Sequence, residues 1–141
     1  MLRAVLDTNV FISGIKSQTT APGQILNAWM HKRLILVISP QLLSEIHEVL
    51  MRPAILDLLK KTPTEVNDFM KLLMYKTYVT EGKVELEELF IDPDDNIVLA
   101  CAVEGQATYL VTGNKKHFPF ETYRGVKIIK PREFIKLLRE E

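Results

Sequence analysis

At 141 residues the chain has the length of one ordinary domain, enough to bury ~70% of the surface its unfolded form would expose, so a single domain over residues 1–141 is expected. Lys plus Arg and Asp plus Glu both total 18, so the net charge is zero and any nucleic-acid partner has to be held by a local patch rather than by an overall basic field. "MLRAVLDTNVFIS" lacks a long apolar run ending in a small-residue cleavage site, and nowhere do ~18 apolar residues follow one another, which predicts a soluble, unprocessed protein with no membrane partner.

The first predicted element is a strand, "RAVL" at 3 to 6, followed by Asp7 and Asn9, whose side chains can bond nearby backbone amides in a turn. A second strand, "LILVI" at 34 to 38, leads into Ser39 and Pro40, which open a helix with Leu42, Leu43, Ile46, Val49 and Leu50 at helical spacing. At ~100° per residue, Glu45 lies about 100° from the centre of that stripe and borders the core, whereas Glu48 points nearly opposite. Thr62, Pro63 and Glu65 form a capping-box pattern ahead of Val66, Phe69, Met70, Leu73 and Met74. A third strand is expected at "TYVT", 77 to 80.

The stretch "IDPDDNIVLACAVEG", 91 to 105, sets Asp92, Asp94 and Asp95 ahead of an apolar run from Ile97 to Val103. Asp92 has the features of an N-cap, Pro93 of a first helical residue, and Asp94 and Asp95 of first-turn acids facing the positive end of the helix dipole. A helix apolar all round belongs between other elements, so the core fixes where its acidic end lies. Cys101, the one cysteine, falls inside that run as a packed thiol, in keeping with a reducing cytoplasm. Strands at "TYLVT", 108 to 112, and "VKII", 126 to 129, follow, and a last helix after Pro131 carries Phe134, Ile135, Leu137 and Leu138 on its inner side.

Strands alternating with helices predict an α/β domain with a mostly parallel sheet, whose ligand site lies beyond the carboxyl ends of the strands, where the strand order reverses. Asp7 ends the first strand, Glu45 sits in the helix after the second, and Asn114 follows the fourth; if strands one and four are neighbours, the acids of Asp92 to Asp95 reach the same edge. Carboxylates gathered there repel one another, and a divalent cation is the natural remedy. All-oxygen ligation suits Mg²⁺ or Mn²⁺, while His31, His47 and His117 show no zinc-type spacing and belong at the surface or behind a ligand. Metal held by acids in such a crevice commonly serves phosphate chemistry.

"VLDTNVFIS" at 5 to 13, "DPDDNIVLACAVEG" at 92 to 105 and "LVTGNKKHF" at 110 to 118, with Glu45 between the first two, resemble in order and spacing the motifs of PIN-domain proteins, of the kind found as ribonuclease toxins in VapBC-type prokaryotic toxin–antitoxin pairs. The resemblance implies a three-layer α/β/α sandwich with a central parallel sheet of about five strands ordered 3-2-1-4-5. It makes Asp7, Glu45 and Asp95 the catalytic metal ligands, with Asp92 an auxiliary acid and Asn9 and Thr112 orienting them. One or two Mg²⁺ or Mn²⁺ ions, cleavage of single-stranded RNA by an activated water to leave a 3′-hydroxyl and a 5′-phosphate, a cognate antitoxin and a homodimer are implied as well. Asn114 stands where many relatives carry a fourth acid; an amide adds no charge, so a second ion binds more weakly or needs substrate phosphate. Lys115 and Lys116 are candidates for the phosphate backbone, or else part of a solvated turn.

A receiver-type signalling domain resembles a pattern with an acidic pair after the first strand, and a haloacid-dehalogenase-like phosphatase one with Asp-x-Asp; "LDTN" supplies one acid. The remaining alternative is a catalytically weak PIN domain that binds RNA or a protein without efficient turnover.

Overall fold

The computed structural model describes residues 1–86 and 92–141; Ile91, which opens the acidic stretch quoted above, lies outside them. In chain order the elements are β1 (Arg3–Leu6), α1 (Thr8–Lys16), α2 (Ala21–Met30), β2 (Ile35–Ile38), α3 (Pro40–Leu50), α4 (Pro53–Leu59), α5 (Pro63–Lys76), β3 (Tyr78–Val79), α6 (Pro93–Glu104), β4 (Tyr109–Val111), a 3-10 turn (Lys115–His117), β5 (Thr122–Tyr123), β6 (Val126–Ile129) and α7 (Pro131–Glu140). They build one sheet ordered β3-β2-β1-β4-β6-β5. Every neighbouring pair is parallel except β5 with β6.

The five strands legible in the sequence therefore take the 3-2-1-4-5 order, and β5 is an addition that turns back on β6 as a short antiparallel edge. Chain leaving β1 runs outward through β2 and β3, then returns to the other side of β1 as β4. In an open parallel sheet such a reversal, here between β1 and β4, is where ligands bind beyond the carboxyl ends of the strands. The sheet is stitched shut just beyond it: the Asp7 N–H donates to the Val111 carbonyl at 2.9 Å, and the Thr112 N–H to that of Ile129 at 3.0 Å.

Helices flank the sheet. α6 packs on β1, β2 and β4, and its all-apolar character is used as expected, with Val98, Leu99, Cys101 and Ala102 buried. α3 packs against α6, α5 and α1, and α2 lies between α1 and α7. Local signals fix the starts: the Ser39 hydroxyl accepts from the Leu42 N–H at 3.1 Å, and Thr62 with Glu65 forms both bonds of the capping box. Proline at the first or second position opens six of the helices that follow α1, where a missing N–H costs nothing.

Two details depart from the sequence reading. Helices α1, α2 and α4 have no counterpart among the predicted elements, although α1 buries Val10, Phe11 and Gly14 and α2 buries Ile25, Leu26 and Trp29 at helical spacing. On α5, Val66 and Leu73 are buried but Met74 is 62% exposed, because the helix lies on α3 by a narrow face.

Candidate functional site

Asp7 leaves β1 with extended backbone and occupies the N-cap position of α1 without forming an N-cap hydrogen bond. Its Oδ2 instead accepts the Thr112 hydroxyl at 2.8 Å, across the β1–β4 junction. Both residues are buried, Asp7 to 7% and Thr112 to 0% exposure, so this bond is made out of water. Burial pushes the Asp7 carboxyl above its ordinary range, with the Thr112 hydroxyl and the Thr8 amide pulling the other way.

Glu45, on α3, is half-buried while Glu48 is exposed and pairs with Arg52 at 2.9 Å, which is the difference the helical spacing predicts. The Thr8 hydroxyl donates to Glu45 Oε2, tying the start of α1 to α3. Oε1 of the same carboxylate is buried without a partner. Burial raises the Glu45 pKa, the Thr8 hydroxyl opposes that, and the neighbouring carboxyls of Asp94 and Asp7 add to it.

Asp95 is 9% exposed, and its Oδ2 lies 3.4 Å from His117 Nδ1. Its pKa is also raised, by burial first and then by the charge of Asp7, with His117 acting against both. Asp92 and Asp94 are exposed, and Asp92 does cap α6, accepting the Asp94 N–H at 3.3 Å.

Asp7, Glu45 and Asp95 thus share an electrostatic neighbourhood although they come from three separate elements. Asn9 does not join them: it is exposed on the first turn of α1 and its side chain forms no hydrogen bond among the described residues. Thr8, one position earlier, makes the bond to the site. Asn114 is half-buried and contributes through its backbone, its N–H donating to the Thr112 hydroxyl at 3.0 Å. Lys115 and Lys116 lie on the 3-10 turn immediately after it. His31 and His47 are surface residues, bonded to Asn27 and Asn67.

Three members of this neighbourhood carried little signal in the sequence. Asp94 was legible as a first-turn acid on the site's edge, but its effect on Glu45 depends on how α6 sits against α3. His117 reaches Asp95 because the 3-10 turn folds back over the end of α6. The Thr8 hydroxyl is hidden by the ordinary role of threonine after a strand.

As a donor set these are hard oxygen ligands of the type that Mg²⁺ or Mn²⁺ takes. A buried carboxylate oxygen without a partner, at Glu45, together with three carboxyls each destabilised as anions, fits the binding of a cation. Among the described residues no three Asp, Glu, His or Cys side chains converge on one point, so enclosing an ion requires a side-chain rearrangement.

Residues 3–116 match the family model described as the PIN domain. The chain belongs to the PIN domain family. An uncharacterized protein of Methanocaldococcus jannaschii, MJ1680, is 28% identical over 148 residues, spanning 95% of this chain and 90% of that one. The fold is similar to that of a chain in the crystal structure of VapBC2 from Rickettsia felis bound to a DNA fragment from their promoter, with a TM-score of 0.60 and 16% identity over 92% of this chain and 98% of that chain. The part of this PIN domain that matches the family model takes in Asp7, Glu45, Asp92, Asp95, Thr112 and Asn114; β5, β6 and α7 follow its last matched residue. Among the described residues no helix is long and apolar enough to cross a membrane.

Proposed function

We propose that this PIN domain is a metal-dependent endoribonuclease that cleaves single-stranded RNA as the cytoplasmic toxin of a toxin–antitoxin pair. The observation that carries the reading is the group of Asp7, Glu45 and Asp95 beyond the strand ends, each with its pKa raised by burial and by at least one neighbouring carboxyl, Asp94 among them in every case. Nothing about folding favours such a group, and a cation does. Asp7, Glu45 and Asp95 would hold Mg²⁺ or Mn²⁺, with Asp92 at the rim. When bound, the ion supplies charge neutralisation at a phosphodiester and a nucleophile that is available near neutral pH.

The chain's own groups then have distinct tasks. Thr112 fixes the orientation of Asp7, Thr8 fixes one oxygen of Glu45, and His117 offsets part of the negative charge on Asp95. Asn114 offers an amide where a further acid would strengthen a second ion. Lys115 and Lys116 would meet backbone phosphates next to the scissile one. A cognate antitoxin and a homodimer are the partners that the resemblance to VapBC-type proteins brings to this reading.

A catalytically weak PIN domain that only binds RNA or protein is the second reading, and Asn114 favours it. Incubation of the purified protein with a mixed-sequence single-stranded RNA separates the two. Cleavage that EDTA abolishes, that Mn²⁺ restores and that Asp7→Asn lacks is expected; RNA left intact by the parent protein with Mn²⁺ supports the binding module instead.

A further inference from the structure

Beyond the acidic crevice the chain segregates its charge. Residues 115 to 132 hold six of the 18 Lys and Arg residues (Lys115, Lys116, Arg124, Lys127, Lys130 and Arg132) but one of the 18 acids, Glu121. Lys115, Lys116 and Lys130 have no ion-pair partner among the described residues. These three line an open pocket of about 530 Å³ together with Phe118, Phe120 and Glu121. The pocket shares an edge with the acidic site, since Lys115 follows Asn114 directly and Lys130 extends the carboxyl end of β6, next to β4.

The floor is aromatic. Phe118 is buried and its ring centroid lies 6.3 Å from that of Phe120, which is only half-buried. Phe120 in turn stacks at 4.9 Å and 31° on Tyr123, whose ring also carries the Arg124 guanidinium 5.3 Å from its centroid. Phe120 is therefore packed against both Phe118 and Tyr123 while part of its surface stays open at the mouth of a basic rim. A purely electrostatic patch has no use for that surface, and a folded apolar core would have covered it. Aromatic faces flanked by unpaired cations are how proteins hold unstacked bases of a single strand while cations take the phosphates. Glu121 disfavours a phosphate inside the pocket, which leaves the phosphates to the lysines at the rim and the interior to a base.

We infer that this pocket, between the 3-10 turn and β5–β6, binds an unstacked base of single-stranded RNA flanking the bond to be cleaved, with Phe120 as the stacking surface and Lys115, Lys116 and Lys130 on the adjoining phosphates. The inference rests on the nuclease reading for its substrate but not for its test, because binding is measured without turnover. Most of the pocket lies beyond residue 116, where the match to the family model ends.

Fluorescence anisotropy in EDTA, with a labelled 12-nucleotide mixed-sequence RNA and with its duplex, tests it on the full chain. Phe120→Leu keeps the apolar volume and loses the π-face, and is expected to weaken single-strand binding about tenfold while leaving duplex binding unchanged; Phe120→Tyr should bind like the parent. Lys130→Glu stands at the N-cap position of α7, where an acid is favourable to the helix, so the fold is retained. It should lower affinity for both RNAs and flatten the dependence of log K on log salt by about 0.7 for the single strand. No measurable single-strand binding by the parent, equal single-strand affinity in Phe120→Leu, or the same loss for single strand and duplex in that variant overturns the inference. Absence of cleavage in Mn²⁺ with these binding differences intact sinks the nuclease reading alone.

Discussion

The Thr112 hydroxyl donates to Asp7 at 2.8 Å and accepts the Asn114 N–H at 3.0 Å, so it has one orientation and fixes the carboxylate in turn. Thr112→Val keeps the shape and removes both bonds; Mn²⁺ affinity measured by calorimetry should fall roughly 10- to 100-fold, and Thr112→Ser should recover most of it. Glu45→Gln should weaken Mn²⁺ in the same assay while Glu48→Gln is silent, because Glu48 sits in an exposed pair with Arg52; equal effects would remove the basis for choosing Glu45. The raised carboxyls also set a sign for pH. A folded carboxyl that keeps its proton to higher pH than the unfolded one stabilises fully below the ordinary carboxylate range, and that contribution is lost as pH rises through the folded value. In the metal-free protein, Asp95→Asn should therefore melt with the parent near pH 3.5 and above it at pH 7, a widening gap that thermal melts across that range will reveal. Glu45 was legible because helical spacing alone separates it from Glu48. The pairings of Asp94 with Glu45 and of His117 with Asp95 were not, since each joins two elements and no one-dimensional pattern records that approach.

Helix starts announced themselves in the sequence wherever a side chain or a proline does the starting, as at Ser39–Pro40, Thr62–Glu65 and Asp92–Pro93. The acidic start of α6 is a cap in fact, and Asp92→Ala should cost ~1 kcal/mol in denaturant melts where Asp92→Ser costs little. Helix α1 was hidden for a physical reason: "TNVFISGIK" is rich in β-branched residues and glycine, which disfavour a helix, and tertiary packing overrides them. The override runs through two glycines. A Cβ on Gly14 would stand 2.6 Å from Leu26 Cδ1, and one on Gly23 only 2.1 Å from the Ser17 carbonyl oxygen, so α1, the Ser17–Gln18 turn and α2 meet closer than any side chain allows. Gly23→Ala has backbone against it on every near side and should lose about 1–3 kcal/mol of stability, seen as a lower melting temperature. A melting point equal to the parent's would mean that this turn is soft. The short edge strand β5 was hidden too, because "TY" ahead of "RGV" is too brief for alternation to register.

Across the whole molecule, the neutral total of 18 and 18 charges conceals an arrangement: folding gathers acids from β1's end, α3 and α6 at one crevice and sets a basic, aromatic surface beside it. The strand order, which the family resemblance made legible, is what brings residues as distant as Asp7 and Asp95 together. In the unfolded chain they are apart and repel little. On the proposed reading a divalent ion has a site in the folded state and none comparable in the unfolded one, and would stabilise the fold by mass action. At a concentration 100 times its dissociation constant the gain is about 2.7 kcal/mol, or roughly 10 °C in melting temperature for a domain of this size. Asp92→Ser, which keeps the α6 cap and loses a rim acid, should retain most of that rise. Asp95→Ser should fold, since it relieves a buried charge, and should lose most of it. Melts of the three proteins with and without Mn²⁺ decide whether the acids of "DPDD" only start a helix: the same metal-dependent rise in Asp95→Ser as in the parent would remove Asp95 from the metal site, and with it the argument that joins α6 to Asp7 and Glu45.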